Sequence, residues 1–130
     1  MIKNKFDLII PIYNEGHNLI DLFNNLKKSI KSQYRILLCY DENNDDVFDY
    51  IKVLKKINDH FILVKNKYKG PCGAIKSGFE FSDEFDCKIV YPADDLINAT
   101  IIDQMYEIFL EGYDIVAPSR FMKGGSMKNC

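Results

Sequence analysis

Two adjacent carboxylates, Asp94 and Asp95, close a short apolar run at residues 89–91. Side by side at a strand tip, they repel each other unless a cation sits between them. A divalent ion, Mg²⁺ or Mn²⁺, carrying a phosphorylated ligand meets that need. An ordinary acidic turn in which Asp95 caps the next helix explains the pair equally well, so both readings stay open. Other polar clusters also follow apolar runs: Tyr13-Asn14-Glu15, residues 41–46, Lys69-Gly70 and Ser119-Arg120. An aromatic with acids early, acids in the middle and an arginine late suit a base and ribose, a metal-bridged diphosphate and a cation for phosphate. Taken singly, each cluster reads better as loop polarity or helix capping.

Other chemistries find little support. No G-x-G-x-x-G follows the first apolar run, and no G-x-x-x-x-G-K-[ST] occurs. The Gly70-Pro71-Cys72-Gly73 segment either lets backbone approach a ligand or makes a simple tight turn. His17 and His60 stand alone, as surface or helix-start residues do, and no Ser/His/Asp or Cys/His nucleophile set assembles. Cys39, Cys72, Cys87 and Cys130 lack C-x-x-C spacing. Cys39 and Cys87 lie inside apolar runs, like buried free thiols, which points to a reducing cytoplasm.

The elements that must position these groups alternate. Residues 6–13 form a nearly continuous apolar run, as in a strand buried on both faces, and Pro11 should end its ladder. A helix follows with Leu19, Leu22, Phe23, Leu26 and Ile30 on one face, Asn14 as its N-cap and Glu15 in its first turn. Strand 35–40 leads to a helix with Val47, Ile51, Leu54 and Ile57 inward; strand 61–64 leads to a helix over 74–81. After strand 88–91 comes a helix over 100–111, with Ile101, Met105, Ile108 and Phe109 inward and Gly112 as its stop, then a fifth strand over 113–117. Such alternation predicts an α/β domain with a mostly parallel, Rossmann-like sheet flanked by helices. In that sheet the clusters share the edge formed by the strands' carboxyl ends, where ligands bind.

At 130 residues the chain has the length of a single domain, residues 1–130. Net charge is −2 with the basic residues spread out, which argues against a nucleic-acid partner; Lys65, Lys67 and Lys69 read as a solvated edge. No apolar run reaches the ~20 residues of a membrane span, and no signal-peptide pattern opens the chain. Residues 121–130 read as the opening of a loop, so truncation at the C-terminal end is expected.

In order along the chain, these pieces resemble family 2 glycosyltransferases, the GT-A-fold enzymes that include dolichyl-phosphate mannosyltransferase. Residues 9–19 resemble the family's opening strand with its Pro-x-Tyr-Asn-Glu signature. Residues 40–45 resemble its Asp-Asp-x-Ser-x-Asp loop, with Tyr40 in place of the first Asp. Gly70, Gly73, Ala74 and Gly78 resemble its Asn-x-Gly-x-x-x-Ala-x-x-x-Gly stretch, residues 90–96 its metal-binding Asp-x-Asp segment, and residues 119–125 its Gly-Ser-Arg-Phe-x-x-Gly-Gly loop.

The resemblance implies a GT-A-like nucleotide-diphospho-sugar transferase fold and transfer of a sugar from a UDP- or GDP-sugar donor to a lipid-phosphate or glycan acceptor. It implies that Pro11, Tyr13 and Glu15 hold base and ribose, with Asp41 a further contact and Gly70 a place of close backbone approach. Asp94 matches the second Asp of the metal motif, Asp95 ligates Mg²⁺ or Mn²⁺ beside it or meets the sugar, and Arg120 approaches a phosphate. Pro92 stands where the first metal-motif Asp is usual, leaving one carboxylate fewer. Family members continue into an acceptor half that carries, in inverting enzymes, the catalytic base, so the chain reads as the donor half. A lipid-phosphate acceptor further implies peripheral membrane association of the full-length protein. Two alternatives stand beside this. A sugar-phosphate nucleotidyltransferase would carry a Gly-rich, Arg-containing loop where Pro11 to Glu15 stand, and a non-catalytic truncated binding module would need a partner chain.

Overall fold

The opening apolar run becomes β1 (Phe6–Pro11), in which every residue from Phe6 to Ile10 is buried. A computed structural model describes residues 6–82, 85–119 and 125 of the chain. Around β1 lie β2 (Tyr34–Tyr40), β3 (Phe61–Lys65) and β4 (Lys88–Val90), in the sheet order β3-β2-β1-β4. All three pairings are parallel, with Ile9 opposite Leu37 on one side and Val90 on the other. Parallel strands covered on both faces need apolar residues throughout, which is why β1 and β2 show no hydrophobic–polar alternation. Pro11 ends β1 as expected.

Helix α1 (Gly16–Ser29) buries Leu19, Leu22, Phe23 and Leu26 against one sheet face, and Ile30 continues that stripe. Fully burying each such side chain is worth ~1.5–3 kcal/mol. That sum far exceeds the ~1 kcal/mol of an N-cap bond, so α1 forms although its N-cap residue, Glu15, makes none. A short 3-10 helix at Asp46–Asp49 precedes α2 (Ile51–Ile57), and Val47 and Leu54 join the same core. The opposite face is covered by α3 (Gly70–Phe81), over a smaller cluster of Ile9, Leu37, Cys39, Val64 and Ala74. Gly78 makes this contact close: a Cβ there would lie 2.6 Å from Ile9 Cγ2. A 3-10 turn at Asn98–Ile101 leads into α4 (Ile102–Leu110), and Gly112, at φ +111°, stops it.

Three expectations need correcting. The third helix starts at Gly70 rather than residue 74, because Gly70-Pro71-Cys72-Gly73 is its first turn, where a proline's missing N–H goes unneeded. The inward face of α4 is Ile102, Met105, Tyr106 and Phe109; the 3-10 turn before it shifts Ile101 and Ile108 off that face. Residues 113–117 form no strand. Residues 114–117 line a groove beside β4, but a segment becomes a strand only by exchanging ladder bonds, and Ile115 stays 84% exposed.

Candidate functional site

Strand order reverses at β1: the chain passes from β1 to β2 and β3 on one side, then returns to place β4 on the other. Loops leaving β1 and β4 therefore diverge at the carboxyl ends of the strands, where open sheets of this kind bind ligands. The β1 loop brings Pro11, Tyr13 and Glu15 to one side of this switch point, and the β4 loop brings Asp94 and Asp95 to the other. Asp41 and Gly70 lie further along the same edge, after β2 and β3.

On the β1 side, Pro11 is half-buried and Tyr13 is 69% exposed, its ring open to a ligand. Asn14 is not the expected N-cap. It takes a left-handed backbone, φ +50°, donates its N–H to Asp45 Oδ2 at 3.0 Å and accepts the Asp46 N–H on Oδ1 at 3.1 Å. Glu15 holds the N-cap position, and its Oε2 accepts a bond from Asn18 Nδ2 at 2.7 Å.

Asp41 is half-buried and ties the β2 loop to the β3 loop. Its Oδ1 accepts from Asn66 Nδ2 at 2.8 Å, its Oδ2 accepts from Gly70 N–H at 3.3 Å, and its backbone carbonyl accepts from the Lys65 ammonium. Gly70 has φ +84° with open space where a Cβ would lie, so backbone conformation rather than crowding calls for glycine. Among the described residues the Oδ1 of Asn66 is buried with no hydrogen-bond partner.

On the β4 side the two carboxylates differ. Asp94 is exposed, and among the described residues its side chain has no hydrogen-bond or ion-pair partner. Asp95 is half-buried. Its Oδ1 accepts from the Ile97 and Asn98 N–H groups, both at 2.9 Å, and its Oδ2 accepts from Asn98 Nδ2 at 2.8 Å. Burial alone would push the Asp95 carboxyl up, but the donors of Asn98, Ile97 and Tyr91 hold it below the usual carboxylate range. The Tyr91 hydroxyl donates to the Asp95 carbonyl at 2.9 Å, and burial first, then the nearby carboxylate, raises its own pKa. Asp95 thus engages its own loop, while Ile97, the N-cap residue of the following 3-10 turn, makes no side-chain cap bond. Lone pairs remain on Asp95, yet Asp94 is the carboxylate left open.

Among the described residues, no group of three or more His, Cys, Asp or Glu side chains forms a ready metal cage. One open carboxylate fits Mg²⁺ or Mn²⁺ in another manner, since such ions are often bound by one or two carboxylates plus substrate phosphates. Arg120 lies outside the described residues. Sequence reasoning passed over Asp45 and Asp46 as individuals, treating residues 41–46 as one acidic loop. The available signal was an Asp just before a helical apolar residue, here Asp45 capping the Val47 N–H at 2.9 Å.

Residues 7–129 match glycosyl transferase family 2. The chain is 29% identical over 126 residues to dolichol-phosphate mannosyltransferase of Pyrococcus furiosus, covering 96% of this chain and 36% of that protein. It is 30% identical over 122 residues to undecaprenyl-phosphate 4-deoxy-4-formamido-L-arabinose transferase of Proteus mirabilis, covering 90% and 37%. The chain therefore spans just over a third of the length of these curated relatives.

Proposed function

The chain belongs to glycosyl transferase family 2, and from that premise we propose that its switch point binds the nucleotide diphosphate of a UDP- or GDP-sugar. The observation that carries this reading is the pairing of an open aromatic, Tyr13, with an open carboxylate, Asp94, on opposite sides of the β1/β4 switch point. Tyr13 offers a stacking face for a base, while Pro11, Glu15 and Asp41 border the base and ribose. Asp94 would hold Mg²⁺ or Mn²⁺ and Arg120 would meet a phosphate. The metal would stabilise the diphosphate as a leaving group. Asp95, engaged by its own loop, keeps Asp94 in place and has spare lone pairs for the metal or the sugar.

In the full-length protein, the bond from the sugar's anomeric carbon to the diphosphate breaks with its electron pair on the phosphate oxygen. An acceptor oxygen then bonds that carbon. A lipid phosphate is the acceptor we favour over a glycan, because both relatives are named for one. Its oxygen is already anionic at neutral pH, so no general base need remove a proton. No helix among the described residues is long and apolar enough to cross a membrane. Peripheral attachment of the full-length protein at the cytoplasmic face fits a lipid-borne acceptor and the buried free thiols Cys39 and Cys87.

Calorimetric titration with UDP and GDP, each with and without Mn²⁺, tests the reading. We expect metal-dependent binding of one nucleotide, abolished by Asp94→Ala with the thermal midpoint unchanged. Equal binding by the variant would overturn the metal assignment. Absence of binding by the folded wild-type protein in every condition would overturn the donor-site reading.

A further inference from the structure

Three hydrogen bonds join the β1 and β2 loops and a fourth braces the β2 loop itself, and all four involve Asp45 or Asp46. Asp45, 6% exposed, spends one carboxylate oxygen on each of two backbone N–H groups: Oδ2 on Asn14 at 3.0 Å and Oδ1 on Val47 at 2.9 Å. Asp46 Oδ1 accepts the Gly16 N–H at 3.0 Å, while its own N–H donates to Asn14 Oδ1 at 3.1 Å. Bonds from both sides thus hold Asn14, a non-glycine residue at φ +50°, in a conformation that few side chains tolerate. The residues flanking Asn14 are Tyr13 and Glu15. Tyr13 is 69% exposed, so the backbone on which it stands largely sets its direction.

We propose that Asp45 and Asp46 are positioning residues for nucleotide binding, acting through Asn14 and Gly16 to fix the backbone that presents Tyr13 and Glu15 to the ligand. The proposal rests on the donor-site reading above. It adds that affinity depends on two side chains that face the β1 loop rather than the ligand.

The two acids differ in a way that makes the idea testable. Asp45 uses both oxygens to accept, so Asp45→Asn turns an amide N–H₂ toward a backbone N–H and loses one of the two bonds. Asp46 uses only Oδ1, so Asp46→Asn keeps its acceptor and turns its N–H₂ outward, whereas Asp46→Ala loses the bond. The same chemical change at adjacent positions should give opposite results.

The test is UDP and GDP titration with Mn²⁺ on the wild-type protein, Asp45→Asn, Asp46→Asn and Asp46→Ala, each with a thermal melt. We expect Asp45→Asn and Asp46→Ala to bind about tenfold or more weakly, the usual size for losing a group that orients a binding residue. Asp46→Asn should bind as the wild type does. A role confined to stability would lower the melting midpoint of Asp46→Ala and leave the affinity of its folded fraction at the wild-type value. Should Asp45→Asn fail to fold, the Asp46 pair decides alone. Wild-type affinity in both loss variants would overturn the proposal and leave the donor-site reading standing. A wild-type protein that binds neither nucleotide would overturn both.

Discussion

Arg35 grips Asp7 with two parallel hydrogen bonds, Nε to Oδ1 at 2.8 Å and Nη2 to Oδ2 at 2.7 Å, and Asp7 is wholly buried. The Ser82 hydroxyl donates to the same carboxylate, and Phe81 and Phe85 place their rings 5.8 and 5.2 Å from the guanidinium carbon. This assembly sits under α3 at the amino end of β1, far along the strand from the candidate site. Removing the Asp7 carboxylate takes both parallel bonds from Arg35 and the acceptor from the Ser82 hydroxyl, at a cost of about 3–5 kcal/mol. Urea unfolding at neutral pH should therefore show Asp7→Ala destabilised by about that amount. The fraction that stays folded should bind nucleotide with wild-type affinity; loss of affinity there would mean that the two ends of β1 are coupled.

Acid should weaken the fold through Asp95 and Asp103. At Asp103, as at Asp95, burial pushes the carboxyl up, but the N–H groups of Lys31 and Ser32, at 2.7 and 3.2 Å, outweigh it and hold the group below its usual range. A carboxylate whose folded pKa is depressed stabilises fully above its unfolded pKa of about 3.9, and that share vanishes as pH falls through the folded value. Melting temperature followed from pH 7 downward should fall below about pH 4. Asp95→Asn should cost about 1 kcal/mol at pH 7, having lost a charged acceptor. Its curve should converge on the wild type in acid, and parallel curves would show that Asp95 carries none of the acid sensitivity.

The cysteines should separate by reactivity. Burial raises the Cys39 thiol to about 12 and the Cys87 thiol to about 11, so neither supplies thiolate at pH 8, while Cys72 is exposed on the first turn of α3. Brief iodoacetamide treatment at pH 8 followed by peptide mass mapping should mark Cys72 and spare Cys39 and Cys87. The two should become reactive only in denaturant. Early labelling of Cys39 would mean that α3 lifts from the sheet.

What could be read from the sequence was what local pattern decides. The run at β1 announces a doubly covered strand because burial on both faces leaves no room for polar alternation, and the stripe of α1 fixes its inward face. Residues 113–117 misled because strand preference is local, whereas a ladder needs a neighbouring edge that the sequence does not display. Asp95 left two readings open, and the donors that engage its carboxylate within its own loop lie only two and three residues away. The role of Asn14 was out of reach for the opposite reason. An asparagine before a helix serves equally as an N-cap or as a left-handed residue, and the partners that decide between them lie 31 and 32 residues further on.

That distant choice yields a final prediction, since the two properties of Asn14 can be removed separately. Asn14→Gly keeps the φ +50° backbone free of strain and loses only the side-chain acceptor for Asp46 N–H. Asn14→Ala loses the same acceptor and adds a Cβ that disfavours the left-handed region. The backbone bond to Asp45 survives in both variants, provided the conformation does. Glycine should therefore be the milder change, more stable than alanine by about 1 kcal/mol in urea unfolding and closer to wild type in nucleotide affinity. Equal stability of the two variants would mean that the loop gives up the left-handed turn at little cost, and that Asp45 and Asp46 do not hold it there.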